Sequence, residues 1–461
     1  MATVHLEDGM MKSLLASYPV FTGWAGAACG AICVVAVLSC RGDSDPAAAW
    51  DGVVRDSAGI EIVENFGAPL WPEGPGWVFT QDLRIGAVDG PPEYQFGRIT
   101  GRQVLSDGRI AVTDAMAHNL RIFSPDGVHE RTVGGGGQGP GEFGSGDLGL
   151  FLGPADTMIV YDRSNSRANV VAPDGTWLED VSMLPTEGYR LNYWADNPPT
   201  GRITTLHSPL RQSDGTLTDT LDIIVERDVH GAILDTLARL PSYLTFYRGG
   251  TDTFRFYYTT AWWHRPRGDG LLTARSDEYC FLWYGPGGAI SRIASLAREP
   301  LAITDEDRSV LVGRWDATFR ENSVPAERSA ELLSGIRFGD YYPPFSFFNY
   351  GPAGTLLVQR VRPLRDLDAE EQKEMSLNSV VPRGSSEWDV LDSVGRYLGA
   401  VVIPETDNVY YVPALRFFRD PGTGTWYMFS IWKDESDVEY IVRWRIDGRM
   451  PEDIGDVPPE T

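Results

Sequence analysis

A block of this chain repeats itself without a gap. Val112-Thr113-Asp114, Leu120-Arg121-Ile122-Phe123 and Pro125-Asp126-Gly127 recur as Val160-Tyr161-Asp162, Ala168-Asn169-Val170-Val171 and Pro173-Asp174-Gly175, a shift of 48 residues throughout. Each copy starts with a strand-like segment, Gly108 to Thr113 and Thr157 to Tyr161, and crosses a polar turn into a second strand. An Asp-Gly hairpin signal then leads into a third. The unit is one antiparallel meander per period, and a fixed period decides the whole architecture.

Weaker copies follow wherever a strand runs into a glycine turn: Ile223-Ile224-Val225 into His230-Gly231, Phe281-Leu282-Trp283 into Gly287-Gly288, Trp388-Asp389-Val390 into Val394-Gly395, and Val442-Arg443-Trp444 into Asp447-Gly448. The turn glycines Gly127, Gly175, Gly231, Gly288, Gly395 and Gly448 are spaced by 48, 56, 57, 107 and 53 residues. These are six meanders, the long gap being one unit that carries an insertion. Packing such units radially around a channel hides their edges, which defines an all-β, six-bladed β-propeller spanning residues 51–461. Composition agrees: 50 Gly and 31 Pro in 461 residues, with 42% hydrophobic and 23% charged, exclude a coiled coil, a polytopic membrane protein and a disordered chain. A formal charge of −24 argues against nucleic acid as a partner.

Inside the long gap, Thr304-Asp305-Glu306-Asp307 is a helix start with acidic side chains at the positive end of the dipole. Leu311, Trp315 and Phe319 follow on one stripe. A second short helix is expected from Ala326 to Ile336 and a charge-rich, solvated one from Asp366 to Met375, so that a small helical insertion, about 304–337, caps one face between late blades. Val53 to Val63 reads as a hairpin without preceding strands, while the unit from Tyr427 to Ile446 runs short after its third strand. An orphan strand at one end and a gap at the other predict that Ile60 to Val63 closes the ring.

The N-terminus has its own logic. After Lys12 an uncharged run extends to Ser39, most apolar from Ala31 to Leu38, which reads as a signal peptide over 1–39 beginning at Met1, Met10 or Met11. Val37-Leu38-Ser39-Cys40 resembles the bacterial lipobox, making Cys40 the lipidation site and 40–50 a polar tether. The alternative is an uncleaved anchor helix. Cys29 and Cys33 leave with the signal and Cys280 alone stays in the folded body, as a small buried hydrophobe, so no disulfide framework exists.

Val54 to Val63, the two clean repeats, the run Gly137-Gln138-Gly139-Pro140-Gly141-Glu142-Phe143, and the insertion followed by Tyr341-Tyr342-Pro343-Pro344-Phe345 resemble NHL-repeat-like six-bladed β-propellers of the bacterial secreted and lipoprotein group. The resemblance spans about residues 51–449 and implies a fold more than a reaction, because such propellers include binding modules, lactonases and lyases. Lactonases of that class bind calcium through axial carboxylates and amides, and Asp114, Asn119, Asp147, Asp162 and Asn169 are the residue types required. Against this, Asp114 and Asp162 sit at equivalent places in adjacent units, as a turn-stabilising Asp would. No metal ligand set or catalytic residue is assigned, and no cofactor is expected unless Ca2+ binds on the axis. Gly134 to Gly141 lacks the Gly-Lys-Ser/Thr of a phosphate loop, and no nucleophile elbow is present.

Aromatic clusters fall on expected innermost strands, where large rings fill the wedge between sheets. Arg102, Tyr193, Trp263, His264, Tyr342 and Arg416 combine a few polar groups with apolar wall and are the candidate ligand site. The chain is therefore expected to be a monomeric, lipid-anchored, extracytoplasmic module of the bacterial cell envelope that binds a small molecule, a carbohydrate or a protein, touching the membrane only through its anchor. A metal-dependent lactonase- or lyase-like hydrolytic enzyme is the alternative.

Overall fold

All six turn glycines have positive φ, from 76° at Gly288 to 127° at Gly448, a region where a side chain is strained. They mark the blades in a computed structural model that describes residues 50–450 except 72–73, 75, 198–201, 211–217, 229, 242–254, 258–261, 268–269, 375–376, 378–381 and 405–414. Three strands precede the blades: β1 (Gly52–Ser57), β2 (Ile60–Asn65) and β3 (Trp77–Ile85). Blade one is β4 (Ile99–Val104), β5 (Ile110–Asp114), β6 (Asn119–Phe123) and β7 (His129–Gly134). Blade two is β8 (Leu148–Leu152), β9 (Met158–Asp162), β10 (Arg167–Val171) and β11 (Trp177–Ser182). Blade three is β12 (Tyr189–Asn197), β13 (Arg202–Pro209), β14 (Leu221–Arg227) and β15 (Ile233–Pro241). After β16 (Arg255–Tyr257), blade four is β17 (Trp262–Arg267), β18 (Gly270–Arg275), β19 (Cys280–Tyr284) and β20 (Ile290–Leu296). After β21 (Ile336–Phe338), blade five is β22 (Phe347–Tyr350), β23 (Leu356–Val361), β24 (Gly384–Leu391) and β25 (Tyr397–Val402). Blade six is β26 (Arg416–Arg419), β27 (Trp426–Lys433) and β28 (Glu439–Gly448), with β3 as its fourth strand.

Six antiparallel meanders in a ring are a six-bladed β-propeller. The first strands face the axis: β4 touches β8 and β26, β12 touches β8 and β17, and β17 touches β22. Asn349 Nδ2 on β22 donates to the carbonyl of Leu415, just before β26, at 3.0 Å and continues that inner circle. One apolar cluster fills each wedge between neighbouring sheets. Phe123, Phe429 and Ile441 lie between blades six and one, and Phe281, Phe345 and Phe348 lie between four and five. The aromatic run before and within β22 is thus core, with Phe345, Phe347 and Phe348 all buried.

The insertion forms as expected, and on one face. Helix α1 (Asp305–Glu321) opens on a capping box between Thr304 and Asp307, α2 spans Ala326–Ser334, and α3 spans Ala369–Glu374. In a four-stranded meander, the link from one blade to the next and the link from second to third strand emerge at the same end. Residues 297–346 and 362–383 are such links, so both halves of the insertion meet above blades four and five. Trp315, Leu311, Ile303, Tyr342 and Leu364 give this cap its own core.

Ring closure differs from the expectation. The strand Ile60 to Val63 belongs to β2, which runs parallel to β20 with Ile62 opposite Ile293, so hairpin β1–β2 is added to the rim of blade four. Asn65 fastens it there: its Oδ1 accepts from Trp50 Nε1 and Tyr397 N, and its Nδ2 donates to the carbonyls of Ser295 and Gly395. All four hydrogen-bonding positions of this buried amide are used. The closing strand is β3, antiparallel to β28 with Phe79 opposite Ile446. Buried Trp77 and Ile85 and partly buried Phe79 and Leu83 alternate with exposed Val78, Thr80 and Arg84, the pattern of an outermost strand packed on one face.

Deleting 77–85 is expected to leave blade six with three strands and an open edge, and to yield aggregated protein on size-exclusion chromatography. Deleting 51–66 should give soluble protein that melts at lower temperature, since it removes an addition and not the closure. A soluble, cooperatively melting variant lacking 77–85 would place the closure elsewhere.

Candidate functional site on the innermost strands

Five of the six expected site residues lie on first strands: Arg102 on β4, Tyr193 on β12, Trp263 and His264 on β17, and Arg416 on β26. The side chains of Tyr193, Trp263 and His264 lie outside the described residues, as does Cys40 with the whole segment 1–49. Tyr342 is elsewhere. Its ring is buried in the cap core, and its hydroxyl accepts from the backbone N–H of Leu364 at 3.0 Å. It precedes β22 by five positions and belongs to the insertion, so it does not join the first strands. Burial pushes its hydroxyl well above the ordinary tyrosine value.

Arg102 and Arg416 are brought together. Arg102 is 4% exposed, and its Nε and Nη2 both donate to the carbonyl of Phe429, at 3.3 and 3.2 Å. Phe429 is also the ladder partner of Arg416, so both guanidinium-bearing strands converge on one residue of blade six. Burial, and then the charge of Arg416, hold Arg102 down to about 9, leaving it protonated at neutral pH. The Nε of Arg416 is buried and makes no hydrogen bond. Neither arginine forms an ion pair among the described residues.

Arg121 is the internal control. It too is 4% exposed, but its Nη2 lies 3.3 Å from Asp114, and its Nη1 donates to the carbonyl of Gln95 at 2.8 Å. A buried charge normally has such a partner. The carboxylates weighed as calcium ligands are likewise committed. Asp114 accepts from the backbone N–H groups of Gly97, Arg98, Met116 and Ala117. Its repeat equivalent Asp162 accepts from Gly144 N and Asn165 N. Asp147 pairs with Arg98. Among the described residues, no group of three or more His, Cys, Asp or Glu side chains is arranged to hold a metal ion.

Two polar nodes without a local sequence signal lie between other blades. Asp389 accepts from Tyr279 Oη at 2.8 Å, Tyr397 Oη at 3.1 Å and Arg360 Nη2 at 2.7 Å, and also from Arg298, which locks blades four and five. His207 lies between blades two and three: its Nδ1 accepts from Thr186 N at 3.1 Å, and its Nε2 lies 2.8 Å from Thr205 Oγ1. Burial, then the nearby Arg227, lower it from 6.5 to about 4. Burial also pushes the Cys280 thiol up to about 12, which suits a packed hydrophobe and not a nucleophile.

The chain compares with known proteins as follows. Residues 94–146 match the model of a family described as "6-bladed beta-propeller". No curated protein matches the sequence. Solved structures with similar chains include a DUF4221 family member from Bacteroides vulgatus, at 10% identity and TM-score 0.45, covering 82% of this chain and 100% of that one. They also include virginiamycin B lyase from Staphylococcus aureus, at 10% identity and TM-score 0.37, covering 80% and 99%, and a gluconolactonase from Xanthomonas campestris, at 11% identity and TM-score 0.33, covering 80% and 99%. The blade count rests on the strand order of this chain and on the family match.

His207 sets a pH dependence. Its folded value lies below its unfolded value, so its contribution is fully present above pH 6.5 and is lost as pH falls from there towards 4, where the unfolded chain binds the extra proton. The loss should reach about 3 kcal/mol at about 1.4 kcal/mol per unit. Urea unfolding at pH 7.5 and 4.5 checks it: His207→Gln should be less stable at pH 7.5 but show a shallower decline, and an unchanged slope would exclude His207 as the source.

Proposed function

We propose that this propeller is an extracytoplasmic, lipid-anchored binding module that holds a ligand at its innermost strands beside Arg102 and Arg416. The observation that carries the reading is the pair itself: two neighbouring guanidinium groups borne by first strands, without a carboxylate partner among the described residues, in a chain whose acidic residues outnumber its basic ones by 64 to 40. Other buried charges of the described body, Arg121 and Asp389 among them, are paired internally, and a few polar groups left unsatisfied on the inner strands are what a ligand site requires. The signal-like run and the lipobox-like Val37 to Cys40 support export and anchoring at the cell envelope. The commitment of Asp114, Asp147 and Asp162 to backbone amides and Arg98 favours binding over the metal-dependent hydrolytic alternative.

Two measurements test it. A thermal-shift screen of sugars, lactones, peptides and divalent ions should give at least one saturable hit that Arg416→Ala abolishes and the exposed Arg445→Ala leaves intact. Stabilisation by calcium or zinc accompanied by lactone hydrolysis would replace the binding reading with the enzymatic one. Stable anchoring needs two acyl chains or an equivalent second signal, so Cys40→Ala should move the protein from membrane to soluble fractions. Retention of that variant in the membrane would favour an uncleaved anchor.

A further inference from the structure

Two inter-blade bridges leave blade one side by side, and they differ in a way that bridging does not explain. Gln103 Nε2 donates to the carbonyl of Leu150 on blade two at 2.9 Å. Arg102, the preceding residue, reaches the carbonyl of Phe429 on blade six at 3.3 and 3.2 Å. A neutral amide makes the shorter bond. A guanidinium spends two of its donors on one neutral oxygen and carries a charge into the wedge. The buried Nε of Arg416 lacks a hydrogen-bond partner. Two like charges sharing a buried place destabilise each other, and the charge that would compensate them is not supplied by the described chain.

We propose that Arg102 and Arg416 hold the oxyanion group, carboxylate or phosphate, of a small acidic ligand between the first strands of blades one and six. This rests on the axial binding reading above and narrows its ligand from sugars, lactones, peptides and ions to anions. The chemistry follows from the donors. The guanidinium fork matches an oxyanion geometrically, and a charge-assisted hydrogen bond is about twice as strong as a neutral one. An anion placed there also removes the repulsion between the two cations. Arg102 is the more buried and positions the charge, whereas partly exposed Arg416 offers the approach.

The proposal makes the ligand-free and ligand-bound states respond oppositely to one substitution. Thermal unfolding of the full chain is followed in low-salt buffer with inorganic phosphate, succinate or neutral glucose, each titrated through the millimolar range. Wild type should gain at least about 1 °C, saturably, with phosphate or succinate. Arg416→Gln should lose half of that gain or more, yet melt at or above wild type when no anion is added, because the repulsion is gone. Arg102→Gln, which keeps an amide donor for the Phe429 carbonyl, should lose the gain as well. A wild type indifferent to both anions overturns the proposal, and so does an Arg416→Gln that melts several degrees lower without anion. Glucose stabilisation abolished by Arg416→Gln would sink the anion proposal and leave the axial reading standing. A gain from anions that survives both substitutions would sink the two together.

Discussion

Every sheet has two edges, and a ring of sheets must dispose of twelve. In this propeller the first strand of each blade turns its free edge to the axis, and the outermost edge is left to the rim. The pairing that lets the ring exist is β3 on β28, because without it blade six is a three-stranded remnant between two complete neighbours. The apolar wedges depend on it in turn. The cluster between blades five and six includes Trp77 of β3 together with Met428, Ile446 and Trp388, and the one between blades six and one includes Ile85. One strand from the start of the chain therefore contributes to two of the six seams.

The seams carry charge as well as hydrocarbon, and they do so by a consistent rule. Asp389 sits between two arginines and two tyrosine hydroxyls, Asp114 accepts four backbone amides and Arg121, and Glu439 accepts from Ile99 N while facing Lys433. Removing one member of such a set leaves an uncompensated buried group, at a cost of about 3–5 kcal/mol for an ion pair. Two buried arginines depart from that rule: Arg227, whose donors go to the carbonyls of Leu184 and Gly231, and Arg102, which has a second arginine, Arg416, beside it on the innermost strands.

Much of the architecture was legible because it is local. Asp-Gly turns, the 48-residue repeat and the Thr304–Asp307 box act within a few residues of themselves, and each forms as the sequence predicts. The closing strand is not legible in this way, because both Ile60–Val63 and Trp77–Ile85 alternate and nothing local says which partner lies across the ring. The place of Tyr342 is not legible for the same reason: it is set by Trp315 in its own half of the insertion and by Leu364 in the other. On the inner strands themselves, register shifts between Ile99 and Gly101 and between Leu191 and Tyr193 break the period of two that a face count needs. The missing counter-charge of the arginine pair is not a sequence signal at all, since it is an absence in space.

The closure has a temporal side. Asp82 on β3 and Arg443 on β28 are ion-paired across 361 residues of chain. At a synthesis rate of about 5–20 residues per second, β3 emerges roughly 20–70 s before the strand it pairs with. For that interval its Trp77, Phe79, Leu83 and Ile85 face have no sheet to join, and contacts of such separation also form slowly by nature. Blades one to five can condense in order from neighbouring segments, but the last one must bring both ends of the chain together. A circular permutant opened between β3 and β4 would put β3 after β28 in sequence, with only the joined termini and the β1–β2 hairpin between them, and would shorten the nascent chain's wait.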